Sequence, residues 1–254
     1  MKKYAVITGA SSGIGREMAR QLYKMGYALV LVARREDRLL ELKKELGDDN
    51  IILKRDLSKL EDILSLVSEI EKLDVSIFVN NAGFGDCGPF SETSLEKELS
   101  MIELNVKTLH ILTKHMVRIF EEKGEGYILN IGSSAGLFPA GPYMATYYAT
   151  KSYVVSLTEA IARELKEKNS NTYIGVLCPG PVNTEFNNVA NVEFSLKGIS
   201  AKDCVSYAIK MMFKKKVRII PTLSMKLAIF GGRFVSRNML IKLTGHQQKK
   251  KIYR

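Results

Sequence analysis

An apolar run, Tyr4-Ala5-Val6-Ile7, ends in Thr8-Gly9-Ala10-Ser11-Ser12-Gly13-Ile14-Gly15, and no other feature of the chain narrows its fold so far. A buried strand that ends in glycines and reopens as a helix leaves backbone N–H groups facing a void. The helix dipole adds partial positive charge there, so the turn suits an anion such as a pyrophosphate. Gly9 permits the tight turn, Gly13 lets the backbone approach phosphates, and Gly15 lets the helix lie close on the strand. Ser11, Ser12 and Ile14 complete the loop. Three residues separate the first two glycines, where the common dinucleotide fingerprint has one. Taken alone, such a loop also reads as a plain strand–helix turn.

The rest of the chain supplies the context that loop needs. Strand-like runs at 4–8, 28–33, 51–54, 75–80, 127–131, 172–177 and 217–221 alternate with helical stretches. The latter fall at 17–25, 36–46, 60–71, 95–122, 143–168 and 201–213. Strands separated by helices cannot be hairpin-paired, so they form a parallel sheet with helices on both faces. The expectation is a single α/β, doubly wound Rossmann-type domain over residues 1–222, with seven parallel strands. Residues 223–254 follow as a basic extension. With 254 residues, 46% of them hydrophobic, such a core can be filled without dividing the chain.

A second motif lies far downstream. Tyr147-Tyr148-Ala149-Thr150-Lys151 falls in the helical stretch 143–168, so Tyr147 and Lys151 share one face. A phenol of pKa near ~10 is a poor acid or base at neutral pH, and an adjacent ammonium favours its ionised form. Tyr148 has no base four residues on, so Tyr147 is the candidate proton donor to a carbonyl oxygen. On the pattern alone, a chance Tyr–Lys pair on an amphipathic helix is the competing reading.

With both motifs in view, the chain resembles the short-chain dehydrogenase/reductase family from about Tyr4 to Pro221. Further family-type motifs stand in order. Asn80-Asn81-Ala82-Gly83 follows the fourth strand, and Asn105 lies in Glu103-Leu104-Asn105-Val106. Asn130-Ile131-Gly132-Ser133 ends the fifth strand, Pro179-Gly180-Pro181-Val182-Asn183-Thr184 follows the sixth, and Asp56 follows the third. The resemblance implies that Ser133 is the catalytic serine and that Asn105 holds a water in a proton relay. It places Asn81, Ala82, Gly83 and Asp56 beside the cofactor, Asp56 near the adenine. It sets Pro179, Gly180, Val182 and Thr184 on the nicotinamide carboxamide, and it makes Tyr147 and Lys151 cofactor contacts as well as catalytic groups. It also implies a homodimer or homotetramer built on helices 95–122 and 143–168. One departure stands out. The family serine lies thirteen residues before its tyrosine, which is the spacing of Ser134, whereas Ser133 has the sequence context. Ser133 is preferred because a strand end fixes side-chain direction and the Pro139–Pro142 loop can absorb a residue, but Ser134 stays open.

An NAD enzyme places an acid near the end of the second strand for the ribose 2′-hydroxyl. Here Ala33 is followed by Arg34 and Arg35, and a guanidinium suits a 2′-phosphate. NADP(H) is therefore the predicted cofactor, with Arg34 its principal discriminator; a solvated helix-capping role is equally open for Arg35. The expected reaction is reduction of a small-molecule carbonyl to its alcohol, with Ser133 and Tyr147 on the carbonyl oxygen. Substrate-side candidates are Ser133, Ser134, Tyr147, Phe84, Phe138, Tyr143, Met144 and Phe186, with residues 185–200 as a lid. The branch of the family that the chain resembles includes membrane-associated oxoacyl and hydroxysteroid reductases, although the sequence lacks their N-terminal membrane segment. A 3-oxoacyl thioester or another lipid-like ketone is the expected substrate class.

Charge is distributed unevenly. Residues 201–254 carry fourteen Lys/Arg and one acid, Asp203, for +13, against +11 for the whole chain, so residues 1–200 sum to about −2. From 225 to 243, Lys226, Arg233 and Arg237 fall on one helical face, and Ala228, Val235, Met239 and Leu243 roughly opposite. One reading is a basic amphipathic helix against an anionic membrane or a partner, which Gly231-Gly232 weakens or splits. The other is an arm packed over the substrate pocket or a dimer contact. A cofactor-binding module docked through this tail, with little turnover, is accordingly the alternative function. No nucleic-acid motif accompanies the charge. Three scattered cysteines (87, 178, 204) and three scattered histidines argue for a reducing compartment and against a metal site. The opening apolar run is too short for a signal peptide and no run reaches membrane-spanning length. The expected location is cytoplasmic, with peripheral contact at the inner membrane face left open.

Overall fold

The computed structural model describes residues 2–186 and 198–250. Seven parallel strands form one sheet in the order β3-β2-β1-β4-β5-β6-β9. They are β1 (Tyr4–Thr8), β2 (Ala28–Ala33), β3 (Ile51–Lys54), β4 (Val75–Asn80), β5 (Gly126–Ile131), β6 (Thr172–Leu177) and β9 (Arg218–Ile219). Alternation along β1 sends Ala5 and Ile7 to one face and Val6 to the other, and β4 follows with Ile77 and Val79 against Phe78. One face is covered by α1 (Gly13–Lys24), α2 (Glu36–Leu46) and α7 (Ala201–Phe213), through Met18, Leu22, Leu39, Leu42, Val205 and Met212. The other is covered by α3 (Leu60–Ile70), α5 (Leu109–Lys123) and α6 (Ala145–Glu167), through Ile63, Leu66, Met116, Phe120 and Leu165. Burial on both faces explains why the strands read as continuous apolar runs rather than alternating ones.

The strand order reverses between β1 and β4, where successive connections leave to opposite sides and open a crevice at the carboxyl ends. Thr8 binds the two strands together there. Its hydroxyl accepts hydrogen bonds from the backbone N–H of Asn81 (2.9 Å) and of Ala82 (3.0 Å). Asn81 returns the contact, its Nδ2 donating to the carbonyls of Thr8 (2.9 Å) and Gly9 (3.2 Å). A side chain at Gly15 would place its Cβ 2.4 Å from the Gly9 carbonyl oxygen, so only glycine lets α1 rest on the turn.

Several expected boundaries move, each for a local reason. The first helix begins at Gly13 rather than residue 17, so the turn after β1 is short. The long helix predicted at 95–122 is α4 (Leu95–Ile102) and α5, joined by a π-helical turn at Glu103–Thr108. The helix carrying Tyr147 starts at Ala145, because Tyr143 takes a left-handed backbone (φ 66°) that cannot belong to it. The last strand pairs only at Arg218–Ile219. The single helix read from 225 to 243 is two, α8 (Leu223–Gly231) and α9 (Arg237–Lys249), separated by a 3-10 turn at Gly232–Phe234. Helix propensity is lost at the paired glycines, and Ser236 caps a fresh start by accepting from Met239 N–H at 3.3 Å. Two short strands, β7 (Val182–Asn183) and β8 (Ile199–Ser200), pair in parallel beside the crevice.

Replacing Thr8 by valine keeps the volume and strands two N–H groups at the strand junction. An unpaired buried donor costs about 1–3 kcal/mol, so T8V should lose about 2–4 kcal/mol in urea unfolding while T8S stays close to the parent chain. A T8V loss below that of T8S would remove this role from the hydroxyl.

Candidate active site

The crevice is a cavity of about 740 Å³ whose walls come from both ends of the chain. At one end lies the glycine turn. Gly9 (φ 66°) and Gly13 (φ 54°) take left-handed backbones, and a Cβ on Gly13 would reach 3.2 Å from Thr184 across the cleft. The Ser12 side chain accepts no hydrogen bond at the start of α1, and no acid occupies that first turn. Ser11, Ser12, Gly13 and Ile14 line the cavity, so a helix N-terminus with its partial positive charge faces it. These residues fit a pyrophosphate.

Beyond β2, Arg34 and Arg35 reach the same cavity but differ in their commitments. Arg35 pairs with Glu185 (3.1 Å) and donates to Ser11 Oγ (3.2 Å), which draws the Thr184–Phe186 segment toward the glycine turn. Arg34 is exposed, and no ion pair involves it among the described residues. Asp56 faces it. Burial pushes that carboxyl up, but hydrogen bonds from Ser58 and the charges of Arg34 and Lys59 prevail and leave it below the usual carboxylate range. Of the remaining cofactor-side candidates, Asn81, Ala82, Gly83, Pro179, Gly180, Val182 and Thr184 all line the cavity, whereas Gly15 lies behind it.

The chemistry-bearing side chains converge at the other end. Tyr147 and Lys151 are one turn apart on α6, both nearly buried, with the Lys151 ammonium 5.9 Å from the Tyr147 ring centre. Lys151 Nζ donates to the Ile131 carbonyl at the end of β5 (2.8 Å). Ser133, two residues past that strand, lies beside the Tyr147 phenol and counters the rise that burial gives it. Ser134 instead gives its backbone N–H to the Pro179 carbonyl (2.8 Å). The serine with the sequence context is therefore the one beside the tyrosine, and a 3-10 turn at Ser134–Leu137 follows it.

Burial dominates the ionisation of this group. It raises the Tyr147 phenol to about 12, opposed by the Ser133 hydrogen bond, and it lowers the Lys151 ammonium to about 8. The Tyr–Lys spacing led to an expected depression of the tyrosine, whereas burial, the largest influence on it, holds the phenol above its ordinary range. At neutral pH the phenol holds its proton, which is the form that can donate.

Asn105 stands in the π-helical turn beside this group, with its side chain engaged inside the protein. Its Nδ2 donates to the Phe84 carbonyl (2.8 Å) and Thr150 Oγ1 (3.2 Å), and its Oδ1 accepts from Phe84 N–H (3.1 Å). The side chain is committed to pinning the loop after β4 against α6, and it does not line the cavity. Phe84, Phe138, Met144 and Phe186 do line it, in a cluster around Tyr147. Tyr143 does not: with a left-handed backbone it lines a small neighbouring pocket with Asp86, Gly88 and Phe90. Most of the candidate lid, residues 187–197, lies outside the described residues.

One wall comes from the C-terminal extension, as the second of its two sequence readings allows, although sequence assigns no residue to that wall. Met225 and Ala228 of α8 and Thr244, Gln247 and Gln248 of α9 line the cavity. Thr244 donates to the Ala140 carbonyl (2.8 Å) and Gln248 Nε2 to the Tyr148 hydroxyl (2.7 Å), about a hundred residues away in the chain. Only the Thr–Gln spacing on one helical face, amid a basic tail, hints at this from sequence. Among the described residues no group of three His, Cys, Asp or Glu could hold a metal, and no helix is long and apolar enough to cross a membrane.

A family model for short chain dehydrogenases matches residues 3–193. The chain belongs to that family. It is 34% identical over 182 residues to a very-long-chain 3-oxoacyl-CoA reductase of Neurospora crassa, covering 68% of this chain and 54% of that one. It is 33% identical over 190 residues to an uncharacterized oxidoreductase of Staphylococcus saprophyticus, covering 72% and 75%. The chain spans about half the length of the 3-oxoacyl-CoA reductases it matches. Among solved structures, it superposes on a short-chain dehydrogenase of Sphingobium yanoikuyae in complex with NADPH at a TM-score of 0.82, with 30% identity over 92% of this chain and 94% of that one. A 3-ketoacyl-(acyl-carrier-protein) reductase of Brucella melitensis complexed with NADH gives 0.76, with 27% identity over 86% and 96%. The expected fold and family are both met.

The lowered Lys151 pKa carries a stability consequence. Between about pH 8 and 10.5 the unfolded lysine is protonated and the folded one is not, so folding stability from this group rises with pH across that window. Below pH 8 the whole penalty remains, on the order of 3 kcal/mol. K151M should therefore be more stable than the parent at pH 7 by about 1–3 kcal/mol, after loss of the Ile131 hydrogen bond, with the difference shrinking toward pH 10. Urea unfolding at pH 7 that finds K151M less stable would contradict the burial account.

Proposed function

We propose that this chain is an NADPH-dependent reductase that converts a lipid-like carbonyl to an alcohol, with Tyr147 as proton donor. The observation that carries the reading is the meeting of Ser133, Tyr147 and Lys151 in one cavity that also receives the glycine turn and Arg34. Ser11–Gly13 and the α1 N-terminus would hold a pyrophosphate, and Arg34, without an ion-pair partner among the described residues, would hold a 2′-phosphate. A nicotinamide dinucleotide bound there supplies hydride to the carbonyl carbon.

This chain's own residues do the rest. Ser133 and Tyr147 present two hydroxyl donors to the carbonyl oxygen, where negative charge develops. Tyr147, un-ionised at neutral pH, gives up its proton to that oxygen. Lys151 is charged below about pH 8 and stabilises the phenolate left behind; Asn105 positions the loop at Phe84. The apolar wall of Phe84, Phe138, Met144 and Phe186 excludes water and suits an acyl or similarly apolar substrate, as do the names of the Neurospora relative and its like. A homodimer is part of the proposal: Leu95, Leu99 and Ile102 form an exposed apolar stripe on α4.

The test is NADPH oxidation against a panel of ketones, aldehydes and 3-oxoacyl thioesters. Y147F should lower kcat by about 10²–10⁴-fold while NADPH affinity holds. Undiminished turnover in Y147F would remove it as the donor. In the parent chain, reduction should decline as pH rises through about 8, when Lys151 loses its charge. R34D should weaken NADPH by about 10–100-fold and leave NADH nearly unchanged. Equal losses for both would argue against the 2′-phosphate contact.

A further inference from the structure

Leu223, Leu227 and Phe230 recur at i, i+4 and i+7 on α8 and are 70, 61 and 57% exposed. No residue of that helix is buried. The stripe continues through Phe234, 78% exposed and stacked edge-on against Phe230 with ring centres 5.5 Å apart. Met239 and Leu243 extend it along α9 at 51 and 56% exposure. Large apolar side chains left in water at helical spacing mark a surface that something covers.

Charge identifies the occupant. No Asp or Glu follows Asp203 anywhere in the sequence, so Lys226, Arg233, Arg237 and Lys242 border the stripe without a neighbouring carboxylate in sequence. Lys226 and Arg237 take neutral oxygens as partners, the Tyr207 hydroxyl (2.7 Å) and the Pro139 carbonyl (3.3 Å), rather than a carboxylate. Apolar side chains ringed by uncompensated cations match an anionic bilayer, with acyl tails under the stripe and headgroups at its edge. A second copy of this chain would set the same cations against each other.

We infer that α8, the 3-10 turn and α9 dock this protein on the surface of an anionic phospholipid bilayer. The same helices turn Met225, Ala228, Thr244 and Gln247 to the cavity. Docking therefore sets one wall of the site against the lipid, and a long-chain carbonyl reaches Tyr147 directly from the bilayer. This last step rests on the reductase reading; the docking itself does not.

The full chain and F230S/F234S, whose changes are surface-exposed and away from the cavity, are sedimented with phosphatidylcholine vesicles with and without about 30% phosphatidylserine. The parent should bind the anionic vesicles at least about tenfold more tightly than the neutral ones, and rising salt should weaken that preference. The double variant should lose about tenfold or more on anionic vesicles at unchanged circular dichroism and NADPH affinity. For a long-chain ketone delivered in vesicles its KM should rise with kcat held, while a short water-soluble ketone is turned over as by the parent. Equal vesicle binding by parent and variant, or no binding by the parent, overturns the proposal. So does a parent dimer that F230S/F234S dissolves in sedimentation velocity without any lipid preference, which would make the face a self-contact. If no ketone is turned over by either chain, the reductase reading fails and the vesicle arm still decides the docking.

Discussion

Everything in the site hangs on the hydrogen bonds that Thr8 and Asn81 exchange where β1 and β4 part. Adjacent parallel strands whose connections leave to opposite sides have no following backbone to pair with, and their last N–H and carbonyl groups would be left unpaired. The Thr8 hydroxyl and the Asn81 amide satisfy them from side chains. The loops can then diverge, one into the glycine turn and the other toward Asn105, and the crevice between them becomes the cavity. Asn105 repeats the device one layer on, by clamping Phe84 from a π-helical turn, and such turns recur where a helix must turn an extra group inward.

The catalytic group runs against the preference of the core that holds it. A phenol and an ammonium are both pressed toward their neutral forms by burial, and each loses solvation that one hydrogen bond only partly replaces. A packed interior with no chemical task would put methionine or leucine at both positions. Their presence, between Ser133 and the end of β5, is a local conflict with stability of the kind that active sites carry. It also gives the site its protonation state at neutral pH, with a phenol able to donate and a lysine still charged.

The tail shows where reading a sequence reaches its limit. Its charge and its apolar spacing were legible, and so was the weakness at Gly231-Gly232. That its inner face joins the cavity was left as one of two readings, because Thr244 on Ala140 and Gln248 on Tyr148 are contacts across a hundred residues. Tyr143 was misplaced for a related reason: nothing in its neighbours signals a left-handed backbone, and the residue lines a small neighbouring pocket rather than the cavity. Sequence favoured Arg34 for the 2′-phosphate and left Arg35 open. The structure adds the physical reason, because Glu185 and Ser11 engage Arg35 and leave Arg34 to the cleft.

The sequence by itself determined the parallel sheet, the glycine turn at its leading edge and the Tyr147–Lys151 pair. Each follows from local chemistry: continuous apolar runs buried on two faces, glycines at left-handed positions, and a four-residue spacing on a helix. Tertiary structure alone decided that Ser133 rather than Ser134 lies beside Tyr147, that burial raises the phenol, and that the C-terminal helices line the site. Those outcomes depend on distances between segments remote in the chain, and on how much water their packing removes. No window of sequence contains either quantity.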